Sequence, residues 1–422
     1  MKKLICALLT MMCSILYCEY QFEIKNPYSA TILGSIDGIS EVNKKIPTKD
    51  YTIKLSKMGI VPKNLWYHKE FKFSLVSQKK PAPLVFLLAG TGSSYNSYKM
   101  KKFQAIFYNA GYHVLSISSP INSNFMVAGS SSKLPGILME DGMDIYNIMT
   151  AAYNKIKSKI KVTDFHLVGY SLGGTEAAFV SYIDDEKHTF NFKRVYMINP
   201  AVDLHTSALL LDSFLGAGSI AKQKIAMMLD FISHSAPSII GNEYSSTLTE
   251  EAIYNIFQNL KLSDDEMKGI IGLAFRISSI DLNYITDVLN NKKIYIKYSV
   301  KKFENTLKYF QRINYATFED YLNKIMIPTL KSKHKMTVEQ IRESLFLGQI
   351  KDYLKTTDKI VVVTNEDELI LTKENIQFLK DTFDKRLILF PRGGHCGNMY
   401  FSENVELMLN YLGNGEFRYE NK

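Results

Sequence analysis

At 422 residues, with 46% hydrophobic and 12% aromatic content, the chain can fill one large domain carrying an insertion, or two domains. Its 23 glycines and 11 prolines are too few for a low-complexity or disordered chain, and no internal repeat is present. The formal charge of +9 is spread over basic runs no longer than two residues, which excludes a polybasic stripe for nucleic acid; a solvated basic surface is the plain reading, attraction to an anionic membrane surface the sharper one.

In chain order the first feature is "MKKLICALLTMMCSILYCEY". Two lysines precede an apolar run from Leu4 to Tyr17 that is shorter than the roughly 20 apolar residues a membrane span needs. The pattern predicts a signal peptide over residues 1–18 and an exported chain, periplasmic, secreted or held at the envelope, with an uncleaved anchor as the alternative. Bulky Tyr17 argues against a lipid on Cys18. Cys6, Cys13 and Cys18 would leave with the leader, so the mature chain keeps only Cys396 and forms no internal disulfide. Loss of Lys2 and Lys3 lowers the charge by two, to +7. No Cys/His spacing fits a metal site, and none is expected.

Residues 19–82 read as short strands and turns joining a sheet, with "YTIKL" (51–55) and "EFKFSLV" from Glu70. From Pro83 the texture changes to apolar runs alternating with helices. "PLVFLLAG" (83–90) precedes a helix to about Ala110, and "HVLSIS" (113–118) precedes the helix "DGMDIYNIMTAAYNKI". "FHLVGY" (165–170) leads to a helix from Ser171, and "RVYMINP" follows at 194–200. Strands that are apolar without alternation are covered on both faces, which predicts a parallel sheet between helix layers. From Asp203 to Thr356 helical periodicity takes over, as in "TEEAIYNIFQNLKL" and "TVEQIRESLFLGQIKDYL". The β/α alternation then resumes with "KIVVVTN" (359–365), "RLILFPRG" (386–393) and a last helix from about Asn398. Residues 83–202 and 357–422 therefore form one core, and 203–356 a helical cap over the carboxyl edge of the sheet, where open α/β sheets bind ligands.

Within this order, "LVGYSLGG" places Ser171 between a buried strand and a helix. A G-x-S-x-G string alone is weak, but a strand-to-helix turn lifts its apical serine clear and needs small neighbours, which Gly169 and Gly173 supply. A serine hydroxyl becomes a nucleophile only when a base removes its proton. His395, in "RGGHCGN" after the last strand, is the candidate base, and Asp367, in "VVVTNEDELI", the candidate acid. Asp203 after an earlier strand is the alternative acid; Glu366 points elsewhere. The N–H of Leu172, with that of Thr91 in "LLAGTGSS", would bind an oxyanion. A phosphate cradle is a poor reading of that loop, because the glycine spacing fails at Tyr95. Cys396 reads as packing; the "GSSSKLPG" loop could border the site entrance, with a solvated loop as the default reading.

The order of oxyanion loop, Ser171, helical insertion, Asp367 and His395 resembles the α/β-hydrolase superfamily, and within it the lid-bearing bacterial esterases and lipases. The likeness is carried by "AGTG", "GYSLGG", "NED" and "GGH" between about Pro83 and Tyr411. It implies an eight-stranded α/β-hydrolase sheet and a Ser-Asp-His triad. Ala89 stands where lipases of this kind often carry a histidine. The expectation is an exported serine hydrolase acting on a small-molecule or lipid ester through an acyl-enzyme, with no cofactor and no nucleic-acid partner. A catalytically silent binding or scaffold protein of the envelope is the rival.

Overall fold

A computed structural model describes residues 20–34, 46–55, 59–216, 262–297, 300–304 and 313–419. The expected leader, and most of "TEEAIYNIFQNLKL", lie outside these residues.

Most strands form where the apolar runs are; the first, Thr48–Ile53 at the sheet edge, is polar and mostly exposed. Eight of them, β1 (Thr48–Ile53), β2 (Phe71–Val76), β3 (Ala82–Leu88), β4 (His113–Ile117), β5 (Val162–Tyr170), β6 (Arg194–Ile198), β7 (Ile360–Asn365) and β8 (Leu387–Phe390), make one sheet in the order β1-β2-β4-β3-β5-β6-β7-β8. Strand β2 runs antiparallel to β1 and β4, and all other pairings are parallel. This is the α/β-hydrolase fold, with the expected doubly covered parallel strands.

A period of two along each strand sends alternate residues to opposite layers. Leu84, Phe86 and Leu88 pack into one core with Ile145, Met149 and Phe179. These come from α2 (Leu138–Ile156) and α3 (Leu172–Lys187), which follow α1 (Tyr98–Asn109) along the chain. Val85 and Leu87 face the other way, against Phe103 and Phe107 of α1 and Leu407 and Met408 near the chain end. The strands read as continuously apolar because both layers are filled.

Between β6 and β7 the described residues contain no strand. The segment begins with α4 (Leu204–Ser213) and continues with the 27-residue α5 (Asp264–Asn290), whose start carries a Ser263–Glu266 capping box and three acidic residues in its first turn. "TVEQIRESLFLGQIKDYL" is not one helix. It is interrupted at Phe346, which is extended and bridges Asp203, while Leu347 N–H donates to Val202 O and Leu204 N–H to Leu345 O. The break lets the end of the insertion pair with its beginning.

After β7 come α6 (Lys373–Phe383), then β8, then α7 (Ser402–Asn414), which starts four residues later than expected. Asn398 does not cap it. Its amide instead donates to Asn365 Oδ1 and Tyr20 Oη in a buried network. Residues 20–34 add no strand to the sheet. They form a strap across its β8 end, with Tyr20 stacked on Phe390 at 5.0 Å and the Arg392 guanidinium donating to the carbonyls of Tyr20 and Phe22. No described helix is long and apolar enough to cross a membrane.

Candidate active site

The turn from β5 into α3 is as sharp as its glycines imply. Ser171 sits at its apex with φ 54° and ψ −127°, a conformation that costs a non-glycine residue about 1–3 kcal/mol and persists only when its surroundings enforce it. They do: Ser171 N–H donates to Ile198 O at 2.8 Å, and its carbonyl accepts from Gly174 N–H at 2.9 Å. A Cβ at Gly169 would lie 2.0 Å from Gly173 O, and one at Gly173 would lie 2.4 Å from Leu88 O. Either would push the turn open.

His395 reaches this serine from the loop after β8. Gly393 and Gly394, with φ of 153° and 55°, fold that loop tightly, and the imidazole Nε2 lies 2.9 Å from Ser171 Oγ. Both side chains are 6% exposed. The imidazole orientation is set from the opposite edge, where Nδ1 lies 2.8 Å from Glu368 Oε1.

The carboxylate facing the histidine is therefore Glu368, and neither expected acid occupies that position. Asp367 accepts the N–H groups of Gly394 at 2.8 Å and Gly393 at 3.2 Å, so its short side chain is spent on the loop that carries His395. Asp203 caps α4, accepting from His205 and Thr206 N–H. Glu368 is one residue further into the turn and one methylene longer than aspartate. Its side chain, 1% exposed, also accepts from Leu369 N–H at 2.8 Å and from the Asn199 amide at 2.6 Å, fixed donors that keep a buried negative charge solvated. The only sequence signal for it was the triple acid 366–368, which does not say which of three neighbours turns inward.

Burial pushes the His395 imidazole down, whereas the Cys396 sulfur, 3.8 Å from Nε2, and the Glu368 carboxylate push it up; the upward effects win and it titrates above its ordinary 6.5. Asp367 is raised by burial, against the pull of its two glycine N–H donors.

Thr31 was invisible to sequence reasoning. Its Oγ1 accepts the backbone N–H of His395 at 2.8 Å and donates to Pro27 O at 2.7 Å. A Cβ at Gly394 would lie 2.2 Å from Pro27 O, so the strap and the histidine loop touch backbone to backbone.

A partly open cavity borders Ser171, and Thr91 and Leu172 both line it. Leu172 is the first residue of α3, where N–H groups have no partner within the helix. Gly90 brings the Thr91 loop close, since a Cβ there would lie 3.1 Å from that of Ser171. The remaining wall is mostly apolar and largely supplied by the β6–β7 insertion, including Leu211, Leu282, Phe318 and Met326. Pro135 and Gly136 also line it, so the "GSSSKLPG" loop is partly wall and not a solvated loop; Asp141 Oδ2 holds Gly136 N–H at 2.5 Å and Tyr321 Oη donates to Pro135 O at 2.7 Å. Among the described residues no group of histidines, cysteines and carboxylates is arranged to hold a metal ion.

No family model matches the chain, and no curated protein matches its sequence. Solved structures are similar to it at low identity. A hyperthermophilic esterase of the archaeon Pyrobaculum calidifontis is 13% identical over 96% of each chain, with a TM-score of 0.41. An esterase of Pyrococcus furiosus is 10% identical over 89% of this chain and 92% of its own, with a TM-score of 0.42. An acylaminoacyl peptidase of Pyrococcus horikoshii is 13% identical over 91% of this chain and 44% of its own, also at 0.42. The likeness reaches only the overall fold, and what this chain does has to be argued from its own side chains.

Proposed function

We propose that the chain is an exported serine hydrolase that cleaves an uncharged carboxylic ester through an acyl-enzyme. The observation that carries this reading is the relay of Ser171 Oγ, His395 Nε2 at 2.9 Å and, beyond Nδ1, Glu368 at 2.8 Å, seated on a strained elbow at the floor of an apolar cavity. Ser171 Oγ attacks the ester carbonyl while Nε2 takes its proton. The proton passes to the departing alcohol oxygen, water attacks the acyl-enzyme by the same relay, and the serine is regenerated. Glu368 holds the imidazole tautomer and offsets its charge. The N–H groups of Leu172 and Thr91 receive the oxyanion. The leader sequence supports export, and the insertion serves as a lid over the acyl group.

No charged side chain is among the described residues lining the cavity, which favours an apolar acyl portion. Each methylene buried in it is worth about 0.8 kcal/mol, so kcat/KM for chromogenic esters should rise roughly fourfold per carbon until the cavity is full. Flat rates across the series would remove the acyl-pocket assignment. Folded protein that turns over no ester and takes no fluorophosphonate label would instead favour the silent scaffold.

Thr31 acts here as a positioning residue. Thr31→Val leaves the His395 N–H without its acceptor, and kcat is expected to fall about tenfold with KM unchanged, while Thr31→Ser retains activity. A parallel loss in Thr31→Ser would assign the residue to packing alone.

A further inference from the structure

Large hydrophobic side chains are seldom left in water without a reason when they cluster and carry charge around them. Trp66, Tyr67 and Phe303 are 41%, 52% and 80% exposed, and they form a contiguous group: the rings of Trp66 and Phe303 are 6.2 Å apart and those of Trp66 and Tyr67 6.1 Å. Lys302 Nζ lies 4.8 Å above Trp66 and 4.7 Å above Phe303. Ile60, 98% exposed, precedes them on the same connection.

The group is held out by its own scaffold. Trp66 and Tyr67 belong to the 3-10 helix Lys63–His68, whose preceding two residues turn inward: Leu65 is 1% exposed, and the Asn64 amide donates to Tyr284 Oη at 3.2 Å on α5. The outward pair is thus presented from a pinned base. Lys302 is the cation over the rings; Lys63, Lys69 and Lys72 are exposed on the same connection and Lys301 is exposed next to Lys302 in the chain, against exposed Glu70 and partly buried Glu304, on a chain of net charge +9. Asp281 also lies near Tyr67; it is partly buried and accepts from Ser123 Oγ at 3.2 Å.

Indole, phenol and phenyl rings with a lysine over them on a lysine-rich connection match the boundary of a bilayer, where amphipathic rings sit at headgroup level and each lysine gains about 1 kcal/mol near anionic lipid. We propose that this patch docks the protein on an anionic phospholipid surface. The charge complementarity selects lipid of negative charge over neutral lipid, and rings that project into solvent suit insertion at a surface better than a groove-bound peptide. The patch and the cavity share α5 as a support, since Leu282 lines the cavity and Tyr284 anchors the 3-10 helix. The inference does not depend on turnover at Ser171.

Trp66 is the one tryptophan of the chain, so its emission reports this patch whatever the leader does. Full-length protein titrated with phosphatidylcholine vesicles containing phosphatidylglycerol should show a blue shift, quenching by brominated acyl chains, and reversal in high salt. Phe303→Ala combined with Lys302→Gln should weaken the titration on the order of tenfold with an unchanged unfolding midpoint. Emission that stays unshifted with anionic vesicles overturns the proposal, as does an equal shift with pure phosphatidylcholine. A shift elicited only by an added protein would give the patch to a protein partner and overturn it equally.

Discussion

Ser171→Ala is expected to eliminate ester turnover, lowering kcat by about a millionfold if the elbow serine is the nucleophile, since removing the serine of a comparable relay costs about that much. Covalent labelling by a fluorophosphonate should disappear with it. The effect should not be confounded by unfolding. Alanine keeps the Cβ, so the strain at φ 54° is unchanged, and the bonds holding the turn come from the backbone of Ser171, to Ile198 O and from Gly174 N–H. What vanishes is the oxygen 2.9 Å from His395 Nε2. Undiminished labelling of the alanine variant would place the reactive group elsewhere. Residual hydrolysis of up to about 10³ over the uncatalysed rate fits the proposal, because oxyanion donors act without a nucleophile.

Glu368→Gln compared with Asp367→Asn tests which carboxylate orients the base. Glutamine at 368 is nearly isosteric, but it removes the charge that supports an imidazolium and can present its amide to Nδ1. The expected loss in kcat is about 10³–10⁴-fold, the size seen when an orienting carboxylate becomes an amide. Asp367→Asn keeps an acceptor for the Gly394 N–H at 2.8 Å and should cost less than about tenfold. The pH profile separates the two further. A base must be unprotonated to act, so an imidazole raised above 6.5 places the rising limb of kcat/KM on the alkaline side, with activity lost as pH falls through it. Removing the Glu368 charge lowers that pKa and moves the limb toward acid. If Asp367→Asn proved the more damaging substitution and alone moved the limb, the assignment would revert to the shorter carboxylate.

The difference between the two acids shows where reading a sequence stops. The strand ending at Asn365 and the acids after it were legible, because a buried strand followed by polar turn residues has a recognisable texture. Which of Glu366, Asp367 and Glu368 meets an imidazole 27 residues further on depends on how one turn is folded and on a loop whose glycine N–H groups claim Asp367 first. The Thr91 loop is the opposite case, since its placement beside Ser171 follows from β3 and β5 being parallel neighbours with Leu88 in register with Gly169. Thr31 lies further out of reach. Its bond joins residues 364 positions apart, and nothing in "NPYSATILG" marks a threonine that holds a distant loop.

By itself the amino-acid order determined the strands, the burial of the central ones on both faces, the interrupted sheet, the serine elbow and its histidine, because these follow from local steric rules and from side-chain periodicity. Only the tertiary structure decided that Glu368 faces His395, that an N-terminal strap holds the histidine loop, and that the insertion closes its own ends through Phe346 and Asp203. Those contacts join segments far apart in the chain. Hydrogen-bond partners are chosen by distance and direction in space, and adjacency along the backbone constrains neither once the intervening chain is longer than a turn.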